Sequence, residues 1–499
     1  MLFAELVTVS AAVGATRSRK AKVSALAGLL RELGAGEIEP AVSWLAGEPR
    51  QGRIGAGWRT LAAIDVPAAP APELTVVGVD AALAEIAACT GTGSAGRRGE
   101  LLRALLGAAT ADEQRFLVRL ITGELRQGAL EGVLTEAVAA ASEVPAGAVR
   151  RGLMLSGELP ATARAALTGG AGAVAAFRLE VGRGVRPMLA SPAESLAGAV
   201  AELSALGGVA VDYKLDGARI QVHREGDEVR VFTRSLRDVT GSAPELVELA
   251  RGLPCRAVVL DGESLALTDD GRPLPFQESM SNAGAAARRP RFFDCLHLDG
   301  VDLLDAPLRE RLAALERVVG GLRMPGVLDA TEEQAAAVLE ESLAGGHEGV
   351  MVKALDAPYA AGRRGRAWQK VKPAHTLDLV VLAAEWGYGR RTGMLSNIHL
   401  GARDPDGGPP VMVGKTFKGM TDELLAWQTE RFSAAAVRDD GHVAWLPAEF
   451  VVEIELDGAQ TSTRYPGGVA LRFARVLRYR PDKSPGEADT LDAVRALLR

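Results

Sequence analysis

Cysteine is nearly missing from this chain. Cys89, Cys255 and Cys295 are the three in 499 residues, far apart and with no C-x-x-C pair. That excludes a disulfide framework and a cysteine-rich zinc module, and it fits a reducing compartment. Long apolar runs are missing as well, so nothing reads as a bilayer span. The N-terminal MLFAELVTVSAAVGATRSRK puts its basic residues after the apolar stretch, the reverse of a secretory leader. The expectation is a cytoplasmic protein without membrane contact. An excess of positive charge is also lacking. The net charge is −6, so the chain as a whole is not a basic nucleic-acid binder. Electrostatic footprints are local, however. Cations gather in RRGRAWQKVK (363–372) and RFARVLRYRPDK (472–483), where Asp482 is the single acid. Solvated edge strands would leave the same trace.

A working phosphate loop is the last absence. TGTGSAGRR spaces Gly91, Gly93 and Gly96 as G-x-G-x-x-G, but a dinucleotide fingerprint needs a strand before it, and AALAEIAAC has a helical pattern. It reads as a helix–helix loop. VGKTF supplies Gly414, Lys415 and Thr416, the end of a P-loop. Its leading glycine should stand at Pro409, and a strand replaces the required helix. A nucleoside triphosphate, if used, must be held another way.

What is present falls into three textures. To about residue 180, stretches such as VSALAGLLREL and ELLRALLGAATADEQRFLVRLITGEL repeat apolar residues every three or four positions, the mark of amphipathic helices. VGRGVRPMLASPAES (181–195) is a Gly/Pro-punctuated connector. Beyond it VAVDY, ARIQVHR, EVRVFTR, AVVLDGESLAL, RFFDCLHL and GVMVKAL alternate like strands, with helical patterns at APELVELARGL and EEQAAAVLEESLAG. After KVKPAHT the chain is mostly strand, and at that size a small β-barrel such as an OB-fold is expected. The expected domains are 1–182, all-α; 183–373, α+β; and 374–499, a β-barrel.

VDYKLDGARIQVHR carries the chemistry. K-x-D-G arises by chance in roughly one chain in ten of this length, and alone it describes a strand-end turn with an exposed lysine. Its company changes that. Lys214 leads into a strand where Arg219, Gln221 and His223 alternate with Ile220 and Val222. FTRS then brings Arg234, LDGES brings Asp261 and Glu263, RFFD brings Phe293, HEGVMVK brings Glu348 and Lys353, and WQKVK brings Lys370 and Lys372, expected on one strand face. A lysine, carboxylates, an aromatic and several cations suit phosphoryl or nucleotidyl transfer. A free lysine with a pKa of about 10.4 is a poor nucleophile. Neighbouring cations and burial expose its neutral amine. Carboxylates hold Mg²⁺, cations stabilise the charge on the transferring phosphate, and an aromatic stacks on a base.

In this order KLDGAR, TRS, LDGE, RFFD, EGVMVK, WQKVK and RYRPDK resemble the motifs of the ATP-dependent DNA ligases, within the covalent nucleotidyltransferase superfamily. The helical first third resembles the DNA-binding domain of larger members, notably ITGELRQGALEGVLTEA (121–137), where Arg126, Gln127 and Gly128 would contact DNA. The resemblance implies that Lys214 takes up AMP as a phosphoramidate and that Asp216 organises the reacting end. Arg219 and Arg234 would face phosphates, Glu263 would contact ribose or metal, Phe293 would stack on adenine, and Glu348 would bind metal. Lys370 and Lys372 would grip the AMP phosphate, and Arg480, Asp482 and Lys483 would orient pyrophosphate. Family members often carry Glu two residues before the lysine, near the adenine amino group; here Asp212 stands in its place. ATP is the implied substrate and Mg²⁺ the metal, with Mn²⁺ as substitute. The implied partner is nicked duplex DNA, enclosed by a monomer. Gly/Ala/Arg-rich usage suggests a bacterial member working on the nucleoid. RNA ligases and mRNA-capping guanylyltransferases share the lysine chemistry, though neither has an evident use for the helical region. A non-catalytic DNA clamp would have lost motif residues, and none is lost beyond the change at Asp212.

Overall fold

The computed structural model describes residues 1–125, 131–266, 288–360 and 364–498. Among these, the chain divides into two compact units. One is residues 1–370 without Glu340–Val350; the other is that stretch together with 371–498.

The first unit begins with helices running from Phe3–Ala15 to Leu159–Ala175. Their starts are written in the sequence. Thr110 accepts from the Glu113 amide while the Glu113 carboxylate accepts from the Thr110 amide, a capping box that opens Ala111–Ile121. That helix turns Phe116, Leu117 and Leu120 inward, and Phe116 and Trp44 meet Phe3 edge-on with ring centroids 5.5 and 5.6 Å away. The Gly91/Gly93 stretch joins helices Val76–Ala88 and Ser94–Gly107, both glycines having positive φ. It is a helix–helix loop, as the missing strand requires.

Among the described residues ten strands follow: β1 (Leu189–Pro192), β2 (Val209–Lys214), β3 (Ala218–Glu225), β4 (Glu228–Thr233), β5 (Ala257–Ala266), β6 (Arg288–Leu298), β7 (Val301–Asp302), β8 (Gly326–Leu328), β9 (Gly349–Ala354) and β10 (Arg364–Val371). They form two sheets, β1-β10-β9-β2-β8 and β4-β3-β5-β6-β7. Ile220 and Val222 of β3 enter an apolar core with Val231, Leu260 and Leu312. The polar face of β3 is buried too, because the 181–195 connector lies over it. Val185 donates its amide to Gln221 Oε1 at 2.7 Å, and Gly182 donates to His223 Nδ1 at 3.0 Å. His223 therefore carries its proton on Nε2 and gives it to Gln221 Oε1 at 2.8 Å. Burial drives its pKa down to about 3, so it is a neutral, satisfied core residue.

The second unit is β-rich. It holds β11 (His375–Trp386), β12 (Leu395–Ala402), β13 (Val411–Thr416), β14 (Arg438–Asp439), β15 (Val443–Trp445), β16 (Val451–Leu456), β17 (Gly458–Thr461), β18 (Val469–Arg472) and β19 (Arg475–Tyr479). Seven of these form the sheet β13-β12-β11-β15-β14, with β16 paired to β11 and to β19, while β17 and β18 make a separate ribbon. The expected barrel is not established by these pairings: among the described residues they do not close into a ring, and the long β11 takes β16 along its first half and β15 along its last residues.

Candidate active site

Lys214 is the last residue of β2, and Asp216–Gly217 turns the chain into β3. Gly217 is there for space: a Cβ would stand 2.7 Å from the Ser264 carbonyl oxygen and 2.8 Å from Glu263 Cγ. Gly262 meets the same constraint on the other side of β5, 2.8 Å from the Arg291 oxygen. Gly217 thus lets the lysine-bearing turn press against the strand that carries Glu263, and Gly262 lets that strand press against β6. In register, Arg219 of β3 faces Glu263 of β5. Burial pushes the Glu263 carboxyl up to about 7 against the pull of Arg219 and Lys214, with Asp261 and Asp216 adding to the rise. Lys214, Asp216, Arg219, Asp261 and Glu263 therefore share one electrostatic neighbourhood.

Two buried ion pairs frame it. Asp261 Oδ1 and Oδ2 accept from Arg219 Nε and Nη2 at 3.0 and 2.6 Å, and Tyr359 adds its hydroxyl to Oδ2 at 2.7 Å. Arg219 Nη1 also donates to the Met188 carbonyl at 2.7 Å. The second pair is Asp212 Oδ2 with Lys353 Nζ at 2.6 Å, both side chains 2% exposed. The Lys353 ammonium lies 4.7 Å from the ring centres of both Phe293 and Trp368, and the Arg219 guanidinium 5.3 Å from that of Phe293. Such cation–ring contacts strengthen when shielded from water. Among the described residues the other Asp212 oxygen has no hydrogen-bond partner, with Arg323 Nη2 3.9 Å away.

The remaining expected residues are distributed as follows. Arg234 is exposed in the turn after β4. Lys370 lies one residue from the end of β10, half-buried, in the first unit. Lys372 falls one residue past that strand, in the second unit, where Asp457 engages its ammonium. The shared strand face expected for the two lysines therefore ends at Val371. Glu348, half-buried, immediately precedes β9 within the stretch grouped with the second unit. Arg480, Asp482 and Lys483 are close together: Arg480 Nη2 lies 2.7 Å from Asp482, and Arg480 and Lys483 both reach Asp378. Arg126, Gln127 and Gly128 lie outside the described residues. Lys415 of the failed P-loop is taken up by Glu385.

No group of three or more His, Cys, Asp or Glu side chains poised for a metal occurs among the described residues. Mg²⁺ does not need one, since it is commonly held by one or two carboxylates together with substrate phosphates and water. Glu263, a carboxylate with Asp216 and Asp261 in its electrostatic neighbourhood, supplies the oxygen chemistry that such a cation takes.

Sequence patterns singled out Lys353 and Asp261 without a task; their burial as ion pairs depends on β9 meeting β2 and on Tyr359 reaching across. Tyr359, Arg323, Asp378 and Asp457 gave no local signal.

The arrangement places a lysine at a strand end among carboxylates, cations and buried aromatics, groups that suit nucleotidyl transfer. Family models carry this further. The ATP dependent DNA ligase domain matches residues 187–372, the DNA ligase N terminus 63–139, and the ATP dependent DNA ligase C terminal region 391–483. The chain is 66% identical over 505 residues to a probable DNA ligase of Rhodococcus jostii (strain RHA1), with all of both chains covered. It is 56% identical over 511 residues to one of Anaeromyxobacter sp. (strain Fw109-5), covering 100% of this chain and 98% of the other. A solved structure titled Pmar-Lig_PreS3 superposes with a TM-score of 0.61 at 17% identity, over 95% of this chain and 99% of that one, a likeness of fold. The chain belongs to the ATP-dependent DNA ligases.

Proposed function

We propose that this ligase seals 3′-hydroxyl/5′-phosphate nicks in duplex DNA through an AMP adduct on Lys214. The observation that carries the reading is the position of Lys214, at the end of β2 and within electrostatic reach of Glu263, which Asp216 also reaches. Its neutral amine attacks the α-phosphorus of ATP; a P–N bond forms and pyrophosphate leaves. The nick 5′-phosphate then takes AMP from the lysine, and attack by the 3′-hydroxyl closes the backbone and releases AMP. Phe293 offers its ring to adenine, while Asp212 and Lys353 present a polar edge beside it. Arg219 acts from its pair with Asp261, and Arg234, Lys370 and Lys372 meet phosphate oxygens, Lys372 by exchanging Asp457 for the nucleotide. Glu263 and Glu348 would hold Mg²⁺, which supplies charge neutralisation on the phosphates.

We assign residues 1–182 to DNA binding, 183–373 to adenylylation and 374–499 to an OB-fold domain. Arg126, Gln127 and Gly128 stay assigned to DNA on sequence alone. Exposed Phe417 and Phe473, with the Arg391 guanidinium 5.9 Å and the Lys418 ammonium 5.4 Å from their ring centres, offer the mixed cationic and aromatic surface that suits a nucleic-acid backbone. The resemblance of RYRPDK to the last family motif supports a role for the Arg480–Lys483 group in the adenylylation step.

The test is incubation with Mg²⁺ and α-labelled ATP or GTP, followed by assays on nicked DNA and nicked RNA. Label is expected from ATP alone, lost in Lys214→Ala, with sealing of DNA. ATP label that survives Lys214→Ala sinks the lysine assignment. GTP preference points to capping chemistry, and absence of any adduct to a DNA clamp.

A further inference from the structure

We propose that Asp378 is a positioning residue for the leaving-group cations: it holds Arg480 and Lys483 side by side so that they act on pyrophosphate together. This rests on the reading above that these two cations serve adenylylation.

Asp378 sits on β11 and is buried. Its backbone is fixed from both directions, its amide donating to Asp489 Oδ2 at 2.7 Å and its carbonyl accepting from the Asp489 amide at 2.8 Å. From this rigid base one carboxylate oxygen, Oδ2, accepts from Arg480 Nη1 at 3.1 Å and also from Lys483 Nζ. Two cations converging on one oxygen repel each other, and the Asp378 carboxylate between them offsets that repulsion at close range. In register across the sheet from Asp378 stands Glu453, which takes Arg478 Nε at 2.6 Å and lies 3.7 Å from Arg480 Nη1. Arg478 is thus directed to Glu453 while Arg480 and Lys483 share Asp378. Asp482 occupies the other side of the Arg480 guanidinium, at 3.0 Å from Nε and 2.7 Å from Nη2, and so sets the angle of the fork. The result is a preset pair of cations whose spacing is fixed by a residue that itself touches no substrate. A pyrophosphate, with charge on two adjacent phosphorus centres, is the anion that such a pair suits.

The experiment compares Asp378→Asn, Asp378→Glu, Arg480→Ala and Lys483→Ala in two single-turnover assays on the full chain. One follows Lys214 labelling over a range of ATP concentrations; the other follows sealing of a nick whose 5′ end already carries AMP. Asp378→Asn is expected to slow labelling by about 10- to 100-fold, the range seen for outer-shell partners that orient metal ligands, with sealing of the pre-adenylylated nick close to the parent rate. Asp378→Glu, which keeps the charge, should recover part of the labelling rate. Normal sealing doubles as the check on folding. Labelling that is unchanged or faster in Asp378→Asn, or a parallel fall in both assays, overturns the proposal. If Arg480→Ala and Lys483→Ala both label normally, the reading beneath it fails, and the proposal with it.

Discussion

At position 212 the acid two residues before Lys214 is an aspartate, and it is buried against a lysine. Lys353 extends from the neighbouring strand β9 and closes on Asp212 Oδ2 at 2.6 Å. Burying two charges is costly, but removing one of a buried pair costs more, because the other is left uncompensated. Lys353→Met should therefore lower unfolding stability by about 3–5 kcal/mol, and Asp212→Asn in the same chain should restore part of it. Urea denaturation of the two variants reads this directly; a loss under about 1 kcal/mol would mean the pair behaves like a surface bridge. At this scale the sequence pattern picked out Lys214, Asp216 and Glu263, and the structure brings Lys214 and Asp216 to the Glu263 carboxyl. The pattern was silent where a partner lies far along the chain. Nothing near RYRPDK indicates Asp378, 102 residues before Arg480, and nothing in RFFD shows that Asp294 is held by a fully buried Arg311.

Among the elements, period-two alternation marked most strands in place, since one face of each had to be apolar. What alternation leaves out is register, and register decides which polar groups meet. Across β11, β12 and β13 it brings Glu385 against Asn397, and His399 against Lys415. The Glu385 carboxylate accepts from Asn397 at 2.7 Å, from His399 at 2.9 Å and from Lys415. Burial alone would raise its pKa, but hydrogen bonds from Lys415, His399 and Asn397 outweigh that and hold it at about 2. Since the folded value lies below the unfolded one, the network stabilises the fold above about pH 4.5 and loses that contribution as pH falls toward 2. Glu385→Gln should cost on the order of 2 kcal/mol at pH 7, after allowance for its partial exposure, and little near pH 2. Thermal unfolding across that window checks the convergence; a constant gap would contradict it. The same contacts show why a sequence ending in GKT is no phosphate loop: its lysine already has a carboxylate.

For the molecule as a whole, a net charge of −6 and a DNA substrate are reconciled if the cations that meet DNA are concentrated locally. Binding to nicked duplex should then weaken by about tenfold or more between 50 and 200 mM salt. It should also be indifferent to the base sequence around the nick, since phosphate contacts carry no sequence information. Filter binding on several nick sequences tests both; a flat salt response would remove the electrostatic account. The three-part texture of the chain was readable because helix and strand periods differ. Closure of the last sheet was not, since it depends on how far β11 shares its edge.

Trp368 gives the site an optical property. Its ring is 2% exposed, 4.7 Å from the Lys353 ammonium and edge-on to Phe293 with centroids 5.9 Å apart. Indole emission responds to nearby charge, so an adenine arriving at Phe293 would shift the balance around a native fluorophore. Trp58, Trp427 and Trp445 lie at the surface and supply a steady background. ATP should change the emission of the parent and of Lys214→Ala alike, and leave Trp368→Phe unmoved, so that occupancy could be followed apart from chemistry without attaching a label.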